Sequence, residues 1–499
     1  MSAFERALAD HRAGRLEAAS AAYRRILADD PDHADACHLL GLALHQRGEN
    51  HLAVPMIRRA LQLDSGISNY HNSLGLALHG QRQFDEALGV LRHAATLDPQ
   101  DADIHNNLGL VLADLRRYAE AERTLRRSLE LRPDYAGAMN NLGRVLVWKG
   151  EFDAAVALLT RACAVEPGHS TYWNSLGVAW REAGDLDKAL DAFGRALEIA
   201  PELADAHVNR GQILLLRGDY DAGWREHEWR LRHPRHAARD AARAWTGGDV
   251  SGRTVLLWAE QGYGDAIQFI RYAPLVAARG ARVVVQCRAA LHALFGGIDG
   301  IAEIVGPGDD PAHDCHAALM SLPGLLRRAP DPEPYITGPA AMALGLENGH
   351  RRRRVGLVWA GNPDHANDRN RSHALDAFAP LASVKVSFHG LQTGAAAAEA
   401  APDGLDLTRL GGRLRDFADT AAALMAMDLV ICVDTATAHL AGALGRPVWM
   451  ILPPNPDWRW GMTGGTTPWY RAMRLFRQAR GEAPAAVFAR LATALAAFR

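Results

Sequence analysis

At 499 residues the chain exceeds one ordinary hydrophobic core, which implies about two to four domains. A hydrophobic content of 48% with 22% charged residues describes a globular protein, and a net charge of −2 gives no electrostatic reason to expect nucleic acid or an anionic membrane as main partner. Lys149, Lys188 and Lys385 are the three lysines, so cationic roles fall to Arg and a P-loop lysine is excluded. Five cysteines without CxxC spacing fit a reducing compartment, not a disulfide framework. The start MSAFERALADHRAG carries charge within its first six residues, and no apolar run approaches the ~18 residues of a membrane span. The expectation is a cytoplasmic protein with neither signal peptide nor transmembrane segment.

The first half repeats. Gly41, Gly75, Gly109, Gly143, Gly177 and Gly211 recur every 34 residues, in step with Ala19, Ala53, Ala87, Ala121, Ala155 and Ala189. Pro31, Pro99, Pro133, Pro167 and Pro201 keep the same interval, with Ser65 in the missing place. Small residues let paired helices approach, and Pro stops the second helix of each pair. This pattern resembles the tetratricopeptide repeat (TPR) family. It divides 1–237 into about seven hairpins; the last, 204–236, is degenerate, with Gly223, Trp224 and a Trp/Arg-rich GWREHEWRLRHP segment that caps the solenoid. Two residues before the register Gly of the later repeats, from Gly75 on, stand Ser73, Asn107, Asn141, Ser175 and Asn209, a polar column suited to holding a peptide backbone. Asn107 and Asn141 are expected on the solvent side, where Ala would cost no stability. The column resembles the asparagine ladder of O-GlcNAc transferases, although Asn at this place is also ordinary TPR sequence.

After a linker at 238–251, strands and helices alternate. In 252–348 the expected elements are a strand at Thr254–Ala259, the turn EQGYGD, a helix at Ala266–Arg279, a strand at Arg282–Cys287, a helix at Ala289–Phe295 and a strand at Ala302–Val305. In 352–499 they are a strand from Arg354, a helix at Leu375–Ala382, a strand at Val384–Leu391, a helix at Arg415–Met425, strands at Leu429–Val433 and Val448–Leu452, and a last helix at Pro484–Phe498. Between the last two strands, Thr435 or Thr437 can cap a helix ended by Gly445 and Pro447. A strand running into a helix N-terminus is an anion site in principle. The fold class expected is an all-α solenoid followed by an α/β fold of two Rossmann-like lobes, the first one short. The basic run Arg351–Arg354 reads as a solvated linker.

Three motifs sharpen this. GYGDAIQF after the first strand, Arg371-Ser372-His373-Ala374-Leu375, and Asp434-Thr435-Ala436-Thr437-Ala438-His439 resemble the signatures of heptosyltransferase-like, glycosyltransferase family 9 enzymes of GT-B fold. With the repeats in front, the whole chain resembles bacterial TPR-linked glycosyltransferases. The resemblance implies Asp265 as general base, with Gly262 and Gly264 permitting a tight turn, and helix capping as the alternative role of Asp265. It implies a donor diphosphate and sugar bound by Arg371, or Arg369 in its place, with Asp434, Thr435, Thr437 and His439. Arg371 stands where the family has Lys, and Ala436 where it has Gly. Gln392 with Gly394, and Trp458 with Trp460, lie where they could approach base or sugar, with packing the alternative.

No metal or other cofactor is expected; the nucleotide sugar is a co-substrate. Asp101-Ala102-Asp103 has the letters of a metal-binding DxD but falls at a repeat junction, and His313, Asp314, Cys315 and His316 are too tightly spaced for an ordinary zinc site. The function expected is sugar transfer from a nucleotide-sugar donor to a protein acceptor, flagellin or another surface protein, recruited by the TPR groove. The alternatives are a lipopolysaccharide-type heptosyltransferase and a non-catalytic TPR adaptor with a decayed transferase half.

Overall fold

A computed structural model of the chain describes residues 2–233, 239–340, 352–365 and 367–498. The start of the expected linker, the boundary at 348 and Arg351 of the basic run lie outside the described residues. The chain forms two compact units, Met1–Ala206 and His207–Arg499.

The first unit is a TPR solenoid of twelve helices, from Ala3–Arg12 to Leu186–Ile199. The repeated glycines do what their spacing implies. A Cβ at Gly109, Gly143 or Gly177 would stand 2.5 Å from Leu125, Leu159 or Phe193, the large residue sixteen positions on in the second helix of the same repeat. A further column has the same period: Gly14, Gly48, Arg82, Arg116, Gly150 and Gly184 all have positive φ, between 58° and 85°. Each turns the chain from the first helix of a hairpin into the second, and Arg adopts there a conformation that Gly takes more cheaply.

The second unit begins inside the helix Ala204–Leu216, followed by Tyr220–His227 and a 3-10 segment, Glu228–Arg232. Here the repeat geometry breaks. A Cβ on Gly211 would stand 2.9 Å from both the Glu226 Cβ and the backbone N of His227, where earlier repeats present an aliphatic or aromatic side chain. Trp224 is buried edge-on against Phe269 and Trp458, with centroids 5.8 and 5.3 Å away.

Two parallel sheets follow. The first contains β1 (Thr254–Trp258), β2 (Arg282–Gln286), β3 (Ile301–Val305) and β4 (Cys315–Ala318) in the order β3-β2-β1-β4. The second contains β5 (Arg354–Val358), β6 (Ser387–Gly390), β7 (Leu407–Arg409), β8 (Leu429–Val433), β9 (Val448–Leu452) and β10 (Met473–Arg477) in the order β10-β9-β8-β5-β6-β7. All five residues of β8 and of β9 are buried, as helices on both faces of a parallel sheet require. The second order is the doubly wound one, and the pair of sheets is consistent with an α/β GT-B fold.

Strands β4, β7 and β10 add to the expected elements. Other elements differ too: the single helix expected at Ala266–Arg279 is broken by a 3-10 turn at Ile270–Tyr272 and ends at Ala277, and the strand expected at Val384–Leu391 spans Ser387–Gly390. The helix after β1 starts at Tyr263, three residues early, because Gly262 serves as N-cap and its N–H is taken by Asp265. Leu375–Ser383 is a 3-10 helix containing Pro380, which cannot donate to an α-helical ladder.

Candidate active site

In doubly wound sheets, ligands bind outside the carboxyl ends of the strands where the strand order reverses. In the second sheet that place lies between β5 and β8, and in the first between β1 and β4. The segments leaving β1, β5 and β8 carry most of the residues singled out from the sequence.

After β8, Asp434 and the extended Thr435 lead into the helix Ala436–Ala443, with Thr435 as N-cap. The first helix amides to bond within it are those of Ala438 and His439, both to the Thr435 carbonyl, which leaves those of Ala436 and Thr437 outside the ladder. The Thr435 hydroxyl does not cap, and its oxygen is buried with no partner among the described residues. Thr437 is half-buried beside it. The start of the helix Tyr263–Phe269 packs on this same turn. A Cβ on Gly264 would lie 2.9 Å from the His439 ring and 3.6 Å from the Ala436 Cα, so glycine allows two helix starts from two lobes to meet.

Asp265 sits in the first turn of its helix. Its Oδ2 accepts the Gly262 N–H at 2.9 Å, and its Oδ1 is ion-paired with Arg459 of the second lobe. Arg459 is buried and also donates to Gln268 Oε1 at 2.5 Å and to Asp457 Oδ1 at 2.8 Å, with its guanidinium 4.3 Å from the Trp458 ring. Burial works against its charge, but Asp457 and Asp265 more than offset this and hold it above the ordinary arginine value.

Asp434 Oδ2 accepts the Trp460 indole N–H at 2.9 Å, and its Oδ1 lies 3.9 Å from His439 Nε2. Burial pushes the Asp434 carboxyl up to about 6; Asp457 adds to this, while Trp460, Arg371 and Arg459 oppose it. His439 is buried, with Nδ1 2.8 Å from the Tyr470 hydroxyl. Burial pushes its ring well below the ordinary value, helped by Arg459, Arg271 and Arg371, so the imidazole is neutral.

Arg371, on the short helix Asp368–Arg371 after β5, is tied to Asp368 at 3.2 Å. Its guanidinium lies close enough to Gly361 that a Cβ there would touch it at 2.7 Å. Arg369 is exposed on the same helix. Gln392 is buried and committed to backbone: its Oε1 accepts from Trp359 and Ala360, at 3.1 and 3.0 Å, and its Nε2 donates to the Ala360 and Thr393 carbonyls. Asp265, Gly262, Gly264, Asp434, Thr435, Thr437, His439 and Arg371 thus gather around the meeting carboxyl ends, while Gln392 braces the turn after β5. Trp458 and Trp460 are both buried.

Sequence reasoning missed Arg459, Asp457 and Asp368. Arg459 lies between the two tryptophans of NPDWRWG, a segment that draws attention for its aromatics. In that run Asp457 and Arg459 pair with each other, so the sequence shows no unbalanced charge there to mark Arg459 as part of a site.

The solenoid column differs from expectation in one respect. Asn107 is 8% exposed, not on the solvent side. It donates to Asn72 Oδ1 at 2.9 Å and accepts from Asn106 at 3.1 Å, and Asn141, half-buried, donates to Asn106 Oδ1 at 2.9 Å. Ser73 bonds His38 at 2.8 Å, and Ser175 is buried. Adjacent repeats are stitched together by these amides because successive first helices pack side by side. Asn209 lies half-buried on the helix Ala204–Leu216. The DxD letters are accounted for: Asp101 caps the helix Ala102–Asp114, and Asp103 pairs with Arg132 at 2.8 Å. Cys315 and His316 belong to β4, and among the described residues no three His, Cys, Asp or Glu side chains stand together as a metal group.

The chain thus joins a helical repeat array to a doubly wound parallel sheet whose switch point carries helix amides outside the ladder. Residues 4–68, 75–116, 100–167, 140–204 and 184–223 match tetratricopeptide repeats, and residues 382–488 match glycosyltransferase family 9 (heptosyltransferase). The chain therefore combines TPR repeats with a glycosyltransferase family 9 domain; Asp265 and Arg371 lie outside the matched stretch. Protein FlbA of Caulobacter vibrioides is 28% identical over 348 residues, 60% of this chain and 56% of FlbA, so the match spans little more than half of that protein. Among solved structures, YrrB, described as a TPR protein with an unusual peptide-binding site, is 23% identical over 37% of this chain and 95% of its own, with a TM-score of 0.29. PilF of Pseudomonas aeruginosa is also 23% identical, over 41% of this chain and 93% of its own, with a TM-score of 0.36. No helix among the described residues is long and apolar enough to cross a membrane.

Proposed function

We propose that this chain is a cytoplasmic, metal-independent, inverting glycosyltransferase that moves a sugar from a nucleotide-sugar donor to a protein held by the repeat array. The observation that carries the reading is the meeting of two helix starts, from β1 and β8, with Asp265 on one and the unpartnered Thr435 hydroxyl on the other. The donor diphosphate would lie at the Ala436–Ala443 helix start, where free amides and Arg371 offset its charge. The acceptor hydroxyl oxygen attacks the anomeric carbon, its proton passes to Asp265, and the bond from that carbon to the diphosphate breaks as the nucleoside diphosphate leaves. The neutral His439 can donate or accept a hydrogen bond without adding charge. A surface protein such as flagellin is the kind of acceptor we have in mind, offered along the first helices.

A panel of nucleoside diphosphates and nucleotide sugars in thermal shift tests this, because a ligand of the folded state raises its melting point. The expected result is a shift with one base, diminished in Arg371→Ala for the diphosphate but not for the nucleoside. No shift with any compound would overturn the donor site. A second reading, a TPR adaptor with a silent transferase half, draws on the engagement of both Asp265 oxygens and on Ala436 in place of glycine.

A further inference from the structure

The ion pair between Asp265 and Arg459 poses a chemical problem for the reading above, on which this inference rests. Both Asp265 oxygens are engaged, one by the Arg459 guanidinium and the other by the Gly262 N–H, so neither stands open to a hydroxyl. A residue that must accept a proton from a hydroxyl is ill served by that arrangement. Meanwhile a nucleoside diphosphate would bring at least two negative charges into a crevice that already holds Asp265, Asp434, Asp457 and Asp368. Arg371 is shared with Asp368, so a further cation is needed.

Arg459 fits that need by position. It is anchored in the second lobe by Asp457, yet it also pairs with Asp265 of the first lobe, with Gln268 of the same helix beside it. The residue before Asp265, Gly264, packs on the His439 ring and the first turn of the Ala436–Ala443 helix. The residue after Arg459, Trp460, is hydrogen-bonded to Asp434 at the entrance of that turn. The guanidinium therefore sits on the candidate base, and its charge acts on Asp434 and His439 of the candidate phosphate turn. Its planar fork suits a phosphate's paired oxygens better than a single carboxylate oxygen.

We propose that Arg459 is a positioning residue that exchanges partners: without donor it clamps Asp265, and when the donor diphosphate arrives it turns to the phosphate oxygens and releases Asp265 to act as base. The exchange couples donor binding to release of the base, so a carboxylate oxygen is open to the acceptor hydroxyl only when a sugar is in place. It also explains why a buried arginine bridges the two lobes at the one carboxylate assigned to proton transfer.

The exchange makes a prediction of sign. Binding a diphosphate to the parent requires breaking the Asp265–Arg459 pair, so removing the Asp265 charge should tighten diphosphate binding. Calorimetry on the full chain would use inorganic pyrophosphate, ADP, GDP, UDP and CDP, with the corresponding nucleosides as controls. Asp265→Asn is expected to bind the preferred diphosphate roughly tenfold more tightly, the scale of one charge-assisted hydrogen bond released from competition. Arg459→Gln should bind it about tenfold less tightly than the parent, Arg459→Lys should recover part of that loss, and the double variant should show no gain from Asp265→Asn. Nucleoside binding should not change in any of them. If Asp265→Asn proves too unstable, Asp265→Ser keeps an acceptor for Gly262 and carries the same expectation. An interlobe strut with no part in donor binding predicts the opposite: unchanged or weaker diphosphate binding in Asp265→Asn, and that result overturns the exchange while leaving the donor site standing. A parent that binds no diphosphate at all overturns both.

Discussion

Arg230→Met tests how the degenerate last hairpin is joined to the first sheet. Arg230 is 4% exposed and donates to Glu260 Oε1 at 2.9 Å, Glu228 Oε1 at 2.7 Å, Ser321 Oγ at 2.8 Å and the His227 carbonyl at 3.1 Å. Glu260 leaves the carboxyl end of β1, its side chain is 1% exposed, and its second oxygen has no partner among the described residues. Burial pushes its carboxyl up and Arg230 pulls it back. Methionine replaces the arginine stem but leaves a buried, unpaired carboxylate, which costs about 3–5 kcal/mol. The sign in pH follows from linkage. A carboxyl raised in the folded state loses stability as pH rises from its unfolded value, about 4.3, towards its folded one, at ~1.4 kcal/mol per unit. The variant should therefore lie closest to the parent near pH 4.5 and furthest from it above neutrality. Of the twelve tryptophans only Trp148, Trp173 and Trp180 belong to the first unit, so urea unfolding followed by fluorescence at pH 5 and pH 8 reports mainly on the second. Adding Glu260→Gln should abolish the pH dependence. A loss below about 1 kcal/mol, the same at both pH values, would refute the reasoning, since that is the worth of an exposed pair.

Asp434→Asn keeps an acceptor for the Trp460 indole while removing a carboxylate raised to about 6. Against an ordinary value of about 3.9, that charge costs the folded state ~2–3 kcal/mol above pH 7. The variant should be more stable than the parent at pH 7.5, with the gain vanishing towards pH 4 in denaturant titrations. Asn107→Ala should destabilise the solenoid by about 1–3 kcal/mol in thermal melts followed by circular dichroism, because it strands buried amide groups of Asn72 and Asn106. An unchanged or higher melting point would restore the solvent-side reading. Gly109→Val should cost about 2 kcal/mol or more in the same assay, since even its Cβ would collide with Leu125.

The solenoid is legible because one constraint recurs: a glycine every 34 residues must face a large side chain sixteen positions on, and the spacing alone exposes it. β8, β9 and the turn between them are legible for a related reason, a wholly buried strand having no polar position to blur its limits. The missed strands lack that property. β10 alternates Met473 and Leu475 with exposed or half-exposed arginines, β7 is three residues long with two exposed, and β4 carries a histidine on an otherwise small-residue run. Their pairing is fixed by neighbours distant in the chain, so no local pattern announces them.

The same distinction separates the parts of the site. Asp265, Arg371 and the Asp434–His439 turn each sit in a local motif, with a glycine or a cap to mark them. Arg459 has no such context, and its meaning arises from Asp265 and Gln268, nearly two hundred residues away in the chain. A charge placed across a crevice is set by the balance of the whole crevice, and that balance is invisible until both lobes are folded. The buried Arg230–Glu260 pair has the same character, joining a repeat hairpin to the turn after β1, five residues before Asp265. Both arginines end on the segment 260–268, one bracing it from the hairpin and the other from the second lobe. The segment that carries the candidate base is thus held at both ends by buried cations that no motif contains.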